Sequence, residues 1–249
     1  MLTGVRISLT NQENKMQQIT TITFFRHEIF RDKAWGFKMI GAGHEYLKDI
    51  EGLSFYKLLG SGKGKGFNPF PDWGVYSLLQ IWDSEKAANH FFETSELMSL
   101  YKNRTSEIWT LYLKNVVSKG EWSGKNPFEV NTDIDENNKL LCVITRATIK
   151  PKKLFRFWKY VPTAQMPIEK GTKGLIFTKG IGELPVIQMA TFSIWTDFKA
   201  LKSYAYESPE HKKAIHLTRK LDWYKEELFA RFQPYRSIGT WNGVEPLVL

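Results

Sequence analysis

Residues 120–127 read Gly-Glu-Trp-Ser-Gly-Lys-Asn-Pro, and residues 239–246 read Gly-Thr-Trp-Asn-Gly-Val-Glu-Pro. Both stretches contain the pattern W-x-G-x-x-P, once at Trp122 and again at Trp241. Tryptophan, glycine and proline that return with the same spacing after about 120 residues indicate an internal duplication. The repeat predicts that this one chain contains two copies of a single structural unit.

Further matches extend the repeat upstream towards the start of each copy. They pair Ile81-Trp82 with Ile194-Trp195, Lys86-Ala87 with Lys199-Ala200, Ser95 with Ser208, and Arg26, Ile29, Lys33 and Phe37 with Arg146, Ile149, Lys153 and Phe157. We predict a first repeat over residues 18–127, a polar and acidic linker over 128–139, and a second repeat over 140–249. Positions where the copies differ are the places to look for function, because the architecture does not require the difference.

Hydrophobic patterning gives each copy the order strand, helix, strand, strand, helix, strand. The first copy has predicted strands over 19–25, 55–59 and 75–82, a segment over 105–117 that runs from helix into strand, and helices over 30–47 and 85–93, the second capped by Ser84. The second copy has predicted strands over 140–149, 175–178, 186–195 and 228–237, and helices over 151–160, 198–206 and 208–222. This βαββαβ order is the ferredoxin-like unit. Because one such sheet leaves a face uncovered, we predict an internally duplicated α+β barrel with a cavity between sheet and helices.

Composition narrows the classes of function. The chain has 249 residues, 42% of them hydrophobic, a net charge of +9 and a single cysteine, Cys142. One cysteine excludes an internal disulfide and a multi-cysteine metal site. The basic residues are spread out, so we expect no nucleic-acid partner, although basic faces are compatible with contact with an acidic membrane surface. With no secretory signal and no spanning apolar run, we expect a cytoplasmic protein that is at most membrane-peripheral.

The glycine-rich stretch 60–67 is predicted to be a loop after the second strand. It matches neither the G-x-G-x-x-G nor the G-x-x-x-x-G-K-[ST] phosphate-binding pattern. Two interpretations stay open: Lys63 and Lys65 hold an anion such as a carboxylate, or the stretch is a simple hairpin.

Of the five histidines, His211 has the most informative context. Ser208 and Pro209 predict the start of a helix, so His211 falls in its first turn, where the first copy has Met98. A histidine in one copy and a methionine in the other indicate an asymmetric site, although an ordinary surface histidine is the alternative. Cys142 lies in an apolar strand and is interpreted as a buried thiol rather than a thiolate ligand.

Several long strings resemble the spheroidene monooxygenase family. They are the glycine stretch with Pro69 and Pro71-Asp72-Trp73, Thr145-Arg146-Ala147-Thr148, Gly180 to Pro185, Thr191 to Trp195, and the C-terminal run from His211 through Trp223 to Gln233. The similarity covers residues 20 to 246, nearly the whole chain.

The resemblance implies a haem-dependent monooxygenase that uses O₂ and oxidises an acyclic carotenoid to an alcohol and then a ketone. It implies haem b as cofactor and a reduced ferredoxin-like protein as electron donor. His211 becomes the expected iron ligand. Arg26 and Arg146 become candidates for catalysis, by holding haem propionates or donating to bound oxygen, with structural salt bridges as the alternative. The remaining expected site residues are Lys63, Lys65 and Lys212 as propionate partners, and Phe67 and Trp73 as pocket walls.

Two other functions stay open for the sequence. One is a haem enzyme of the same barrel type that acts on a smaller substrate as a peroxidase, N-oxygenase or dehydratase. The other is a haem-binding protein without turnover. The internal duplication removes the need for a dimer without excluding an oligomer.

Overall fold

The computed structural model describes residues 17–65, 68–160, 171–207, 217–218 and 220–249. In the first half the strands are β1 (Ile19–Arg26), β2 (Leu53–Gly62), β3 (Pro71–Trp82) and β4 (Glu107–Gly120), and the helices are α1 (Phe30–Ala42), α2 (Glu85–Thr94) and α3 (Glu96–Lys102). In the second half the strands are β5 (Leu141–Ile149), β6 (Leu175–Leu184), β7 (Gln188–Trp195) and β8 (Tyr224–Gly239). Its helices are α4 (154–160), which follows a 3₁₀ turn at Pro151–Lys153, and α5 (Phe198–Glu207).

The eight strands form a closed barrel in the order β1-β3-β2-β6-β7-β5-β8-β4. Every neighbouring pair is antiparallel. The first half contributes the order β4-β1-β3-β2 and the second half β8-β5-β7-β6, so the two halves have the same topology. The predicted α+β class and the duplicated ferredoxin-like barrel are therefore confirmed.

The two seams that join the halves differ greatly in length. Strands β4 and β8 pair along most of their length, from Trp109 opposite Gly239 to Gly120 opposite Leu228. Strands β2 and β6 pair where Gly60 lies opposite Gly182 and Ser61 opposite Ile181. The short seam lets these two strands diverge on either side of the pairing.

Aromatic side chains fill the inside of the barrel. Phe24, Trp109, Phe177 and Trp241 form a group of rings with centroids 4.9 to 6.4 Å apart. Phe24 and Trp109 are completely buried. Because side chains occupy the interior, space for a ligand must be sought outside the barrel wall, between sheet and helices.

The two W-x-G-x-x-P turns close the ends of the barrel, each on the opposite half. Trp122, from the first half, lies 5.6 Å from the guanidinium of Arg146 in the second half. Trp241, from the second half, lies 4.3 Å from the guanidinium of Arg26 in the first half. In each turn the two residues after the tryptophan have positive φ, 60° and 80° at Ser123 and Gly124 and 58° and 75° at Asn242 and Gly243, as a type I′ turn requires.

Local signals for helix starts agree with the structure. The Ser84 side chain accepts a hydrogen bond from the Ala87 N–H at 3.2 Å, and the Ser95 side chain accepts one from the Met98 N–H at 3.0 Å. The predicted first helix is shorter than expected, since α1 ends at Ala42 and a 3₁₀ turn follows at Gly43–Leu47.

Two other expectations were wrong. The glycine stretch is partly strand rather than loop, because β2 continues through Gly60 to Gly62. Residues 107–117 belong to strand β4, with no preceding helical part within the predicted 105–117 segment.

A candidate cavity between the two halves

A cavity of about 430 Å³ lies over the outer face of the sheet where the halves meet. Its floor contains four glycines, Gly60 and Gly62 from β2 and Gly180 and Gly182 from β6. A side chain added at Gly60 would have nothing closer than the Gly182 carbonyl oxygen at 3.9 Å, so it would extend into open space. Gly60 thus contributes to the cavity by leaving this part of the sheet without a side chain, whereas a Cβ at Gly62 or Gly182 would meet the backbone carbonyl of Asn68 or Gln188.

Apolar side chains form the walls of the cavity. Phe37 comes from α1 and Trp73 from β3, and their rings pack edge to face with centroids 5.2 Å apart. The wall on the second half is Leu184, Pro185, Val186 and Met189. Such a lining favours an apolar ligand.

Tyr76 adds a polar group to the wall. Its hydroxyl donates to the Lys33 carbonyl oxygen at 3.3 Å. Burial, helped by the nearby Asp72, raises the pKa of Tyr76 to about 12. The phenol therefore stays protonated at neutral pH.

The two acidic residues of the lining are each paired with cations. Asp72 accepts from the buried Lys179 at 2.7 Å. Glu183 accepts from Lys57 at 2.5 Å through one oxygen, while the other faces the Trp122 indole N–H at 2.8 Å and Arg146 at 3.5 Å. Because both carboxylates are compensated, the described lining offers no free negative charge to a ligand.

The outer face of the second-half sheet continues from the cavity floor. Gly180 pairs with Thr191, Thr191 with Thr145, and Thr145 with Phe229, so these residues form a row across β6, β7, β5 and β8. Thr145 is exposed although β5 is flanked by strands on both sides, and Phe229 is 40% exposed. A strand residue in the middle of a sheet is exposed when little covers it, so the face is open around Thr145. Towards the end of β5 the face is covered, because Ala147 and Ile149 are buried together with Phe157 and Trp223.

Arg26 and Arg146 lie in ion pairs at the two ends of the barrel. Arg26 pairs with Glu107 at 2.8 Å, and Arg146 pairs with Glu226 and Glu183. Neither lines the cavity. This geometry favours the salt-bridge interpretation that the sequence left open beside a catalytic role.

The sequence matching paired Arg26 with Arg146, but the structure shows that the two arginines are not equivalent. Arg26 lies opposite Glu107, but Arg146 lies opposite Leu228 and therefore takes the position of Phe24, which lies opposite Trp109. Arg146 is thus two residues deeper along its strand, and its side chain is 2% exposed against 28% for Arg26.

The other expected site residues divide into three groups. Trp73 lines the cavity. Lys63 and Lys65 are exposed on the β2–β3 connection and do not line it. His211, Lys212 and Phe67 lie outside the described residues.

The described residues give two further facts about candidate ligands. Cys142 is inside the barrel, where burial raises the pKa of its thiol well above the usual value. Within the described ranges, no three His, Cys, Asp or Glu side chains group together as metal ligands.

Sequence reasoning missed several features of this site. The sequence analysis quoted Gly180, Gly182 and Glu183 as part of a motif without giving them a role, and it named Phe37 only as a repeat match. Glycines at alternate positions of two strands were the available signal, because alternate residues of a strand share one face.

Three curated relatives cover most of this chain. It is 34% identical over 231 residues to a spheroidene monooxygenase from Cereibacter sphaeroides, with 92% of this chain and 71% of the relative covered. The identity is 32% to the protein of that name from Rhodobacter capsulatus, covering 92% and 95%, and 30% to that from Rubrivivax gelatinosus, covering 85% and 80%. No protein-family model matches the chain.

Solved structures share the fold at low sequence identity. An aldoxime dehydratase superposes with a TM-score of 0.60 and 9% identity, covering 91% of this chain and 85% of the dehydratase. A second, OxdRE in complex with butyraldoxime, gives 0.58 and 9%, covering 90% and 81%. At this identity the likeness concerns the barrel alone.

Proposed function

The chain belongs to the spheroidene monooxygenase family, and from this membership we propose that it inserts oxygen from O₂ into an activated C–H bond of an apolar, carotenoid-like substrate. The proposed products are the alcohol and then the ketone, and the proposed cofactor is haem b on the outer face of the second-half sheet. Each oxygenation also consumes two electrons, for which a reduced ferredoxin-like protein is the proposed donor.

The observation that carries this proposal is the cavity over the glycine floor. Its walls are apolar, and its acids, Asp72 and Glu183, are paired with cations. A hydrocarbon would therefore meet no uncompensated charge on the described lining. A carotenoid is longer than this cavity, so we expect one end of the chain to be enclosed and the rest to extend through the mouth.

The second-half face fits a flat macrocycle in its shape and charge. Next to the cavity floor it carries Gly180 and the exposed Thr145, which have no side chain or a short one and so leave room against the strands. Arg231 on β8 lies beside Phe198, has a buried Nε without a hydrogen-bond partner, and forms no ion pair with any described residue. A free guanidinium suits the carboxylate of a propionate group, so Arg231 is our proposed partner for one.

The iron ligand is proposed from the repeat. Met98, the first-half residue that matches His211 in sequence, is 3% exposed and packs against the first-half sheet. On this sequence match we propose His211 as the residue that would bind the iron, with Lys212 as a further candidate for propionate contact.

The chain's own residues have three tasks in this reaction. Phe37 and Trp73 hold the substrate end and exclude water from it. The glycine floor lets the substrate approach the sheet closely. Bound haem supplies the activation of O₂ and the oxidising equivalents, while the protein fixes which carbon of the substrate faces the cofactor.

A haem titration tests the cofactor and its ligand. Purified protein supplied with haem should develop a Soret band, and His211→Ala should shift or weaken it. His90→Ala, an exposed histidine on α2, is the matched control and should leave the spectrum unchanged. A His211→Ala variant with the wild-type spectrum and haem stoichiometry would remove the ligand from the proposal.

Turnover tests the reaction itself. The haem-loaded protein with O₂, a reductant and spheroidene in detergent should give products with one added oxygen and then a ketone. A protein that binds haem but leaves the carotenoid unchanged, under conditions in which a family member converts it, would instead support a haem-binding protein or an enzyme for a smaller substrate.

A further inference from the structure

Large apolar side chains are exposed around the mouth of the cavity. On α1, Phe30 is 87% exposed and Phe37 is 57% exposed. With Ala34 between them, they occupy positions i, i+4 and i+7 of the helix, so they form one apolar stripe facing solvent. Apolar stripes of helices normally face a core, and this one faces outward.

The β2–β3 hairpin continues the exposed apolar surface. Trp73, which packs against Phe37, is 50% exposed, and Phe70 is 68% exposed. On the other side of the mouth, Leu184 of the cavity wall is 47% exposed. We call the group Phe30, Phe37, Phe70, Trp73 and Leu184 the mouth patch.

Three lysines lie on the two elements that carry most of the mouth patch. Lys63 and Lys65 are exposed on the hairpin, where the Lys63 N–H donates to the Phe70 carbonyl oxygen at 2.9 Å. Lys33 lies on α1, and its side chain reaches over Gly74, whose added Cβ would be 3.5 Å from the lysine Cε. None of these three lysines forms an ion pair with a described residue.

Acidic groups near the mouth are mostly compensated. Asp32 is buried and pairs with Arg104 at 3.1 Å, and Asp72 pairs with Lys179. Glu28, beside the start of α1, is the exposed exception. The mouth therefore has a net positive surface with exposed aromatic rings. Anionic lipid headgroups attract the positive charge, and aromatic rings insert at the boundary between headgroups and acyl chains.

We propose that the mouth patch docks on an anionic lipid bilayer, with the aromatic rings in the headgroup boundary and the cavity opening directly into the membrane. The inference rests on the proposed function, because an apolar substrate dissolved in lipid gives the cavity a reason to face it. An aqueous mouth would force a hydrocarbon to cross water on each turnover. With the mouth in the interface, the substrate end passes from acyl chains to the walls formed by Phe37 and Trp73.

Vesicle sedimentation tests the docking surface without any turnover. The protein should bind vesicles in which about a third of the phosphatidylcholine is replaced by phosphatidylglycerol, and should bind pure phosphatidylcholine weakly. Phe30→Ser with Phe70→Ser should weaken binding about tenfold, because two large apolar groups leave the interface. Lys63→Gln with Lys65→Gln should cause a loss of about tenfold on the anionic vesicles alone.

Matched controls come from the opposite side of the barrel. Val130, 61% exposed beside the β4–β8 seam, and Lys119, exposed at the end of β4, should be replaceable by Ser and Gln without effect. Wild-type protein that ignores anionic vesicles, or patch variants that bind as tightly as these controls, would overturn the proposal.

A pair of activity assays separates this inference from the proposed function. The Phe30→Ser, Phe70→Ser variant should oxidise detergent-dispersed substrate at the wild-type rate and lose activity when the substrate is supplied in vesicles. If the wild type shows patch-dependent vesicle binding but no oxidation in detergent, the docking surface stands and the proposed reaction fails. Equal activity of variant and wild type on vesicle-bound substrate would overturn the docking surface.

Discussion

The outer sheet faces of the two halves occupy equivalent places in the barrel and carry different side chains. In the first half Phe25 stacks on Tyr101 with ring centroids 3.8 Å apart, and the sheet around Phe25 is buried under α1 to α3. In the second half the corresponding residues are smaller and Thr145 is exposed. Strand register shows which positions of the two halves are equivalent. Named with the first-half residue first, they are Leu58 and Gly180, Leu78 and Thr191, Phe25 and Ala147, and Tyr76 and Met189.

The comparison shows how a duplicated chain divides its tasks. Both halves fill the barrel interior, because a gap there would cost stability in either copy, but they use different residues: Arg146 takes the place of Phe24, and Leu228 that of Trp109. The layer between sheet and helices is filled around Phe25 in the first half. In the second half it is filled around Ala147 and Ile149 but open around Thr145. The first half therefore has more of its sheet covered by helices, while both halves contribute walls to the cavity.

The largest expected difference between the halves is at the barrel ends. Glu226→Gln leaves the buried Arg146 guanidinium short of a charge partner and should lower the free energy of unfolding by about 3 kcal/mol. Glu107→Gln removes the charge partner of Arg26, which is more accessible to solvent, and should lower the free energy of unfolding by about 1 kcal/mol. Urea denaturation of both variants measures the difference, and equal losses would show that the deeper position of Arg146 has no energetic consequence.

The same pair depends on pH. Burial raises the pKa of Glu226, but the Gly124 N–H, Arg146 and the Ser123 N–H outweigh it and hold that pKa below its ordinary value. The stabilisation is therefore complete above the unfolded-state pKa and is lost as pH falls through the lowered one. The Glu226→Gln variant should show a correspondingly weaker loss of stability in acid than the wild type.

The next largest effect concerns equivalent glycines at the short seam. A Cβ at Gly182 would lie 2.5 Å from the Gln188 carbonyl oxygen, so Gly182→Ala should destabilise the fold by about 2 kcal/mol. Gly60→Ala should change stability by less than about 0.5 kcal/mol, because its Cβ would enter the cavity. Thermal unfolding of the two variants tests this, and a Gly60→Ala loss as large as that of Gly182→Ala would contradict the open floor.

A third variant makes the second-half face resemble the first. Gly180→Leu with Thr191→Leu introduces the leucines found at the equivalent positions and should reduce both haem binding and turnover about tenfold. Val117→Leu on β4, at a position 37% exposed, is the control for an added apolar group. Unchanged haem binding in the double variant, with the fold intact by circular dichroism, would argue against a ligand on this face.

The smallest effect is a difference in titration. His27 and Ile149 are equivalent, since their N–H groups donate to the corresponding carbonyls of Gly74 and Ile187 at 2.8 Å. Burial lowers the pKa of His27 below 6.5, against weaker opposing effects of the Arg104 carbonyl and Asp32. As pH falls below 6.5, His27 therefore binds a proton more readily in the unfolded chain than in the folded one, and the free energy of unfolding decreases.

Replacing His27 with the second-half residue measures that contribution. The His27→Ile variant should lose less in melting temperature between pH 7 and pH 5 than the wild type does, whatever its absolute stability. An identical pH dependence in the two proteins would show that His27 does not titrate in this range on unfolding.

The sequence was sufficient to predict the barrel and insufficient to predict its register. The W-x-G-x-x-P turns and the βαββαβ order identified two copies, because those signals are local. The match of Arg26 with Arg146 failed by two residues, since linear spacing does not reveal where between elements the copies gained or lost length. Shifting by two preserves the face of a strand, so hydrophobic alternation could not expose the error.

The cavity was harder to predict for another physical reason. Its floor depends on strands from different halves meeting at Gly60 and Gly182, a contact between residues far apart in sequence. Glycine patterns favour loops when read one segment at a time, and this preference hid the strand. Trp73 was named as a pocket wall from the family resemblance and lies in the cavity lining, whereas Phe37 on α1 had been given no role in a pocket.

The crossed turns at the barrel ends have an evolutionary consequence. Trp122 closes the end that contains Arg146, and Trp241 closes the end that contains Arg26. Two unlinked copies could make the same contacts only by exchanging their C-terminal arms, as domain-swapped dimers do. Joining such copies into one gene would have kept every contact while freeing the sequence of each half to diverge, which is how a symmetric ancestor can give rise to an enzyme with a single ligand-binding side.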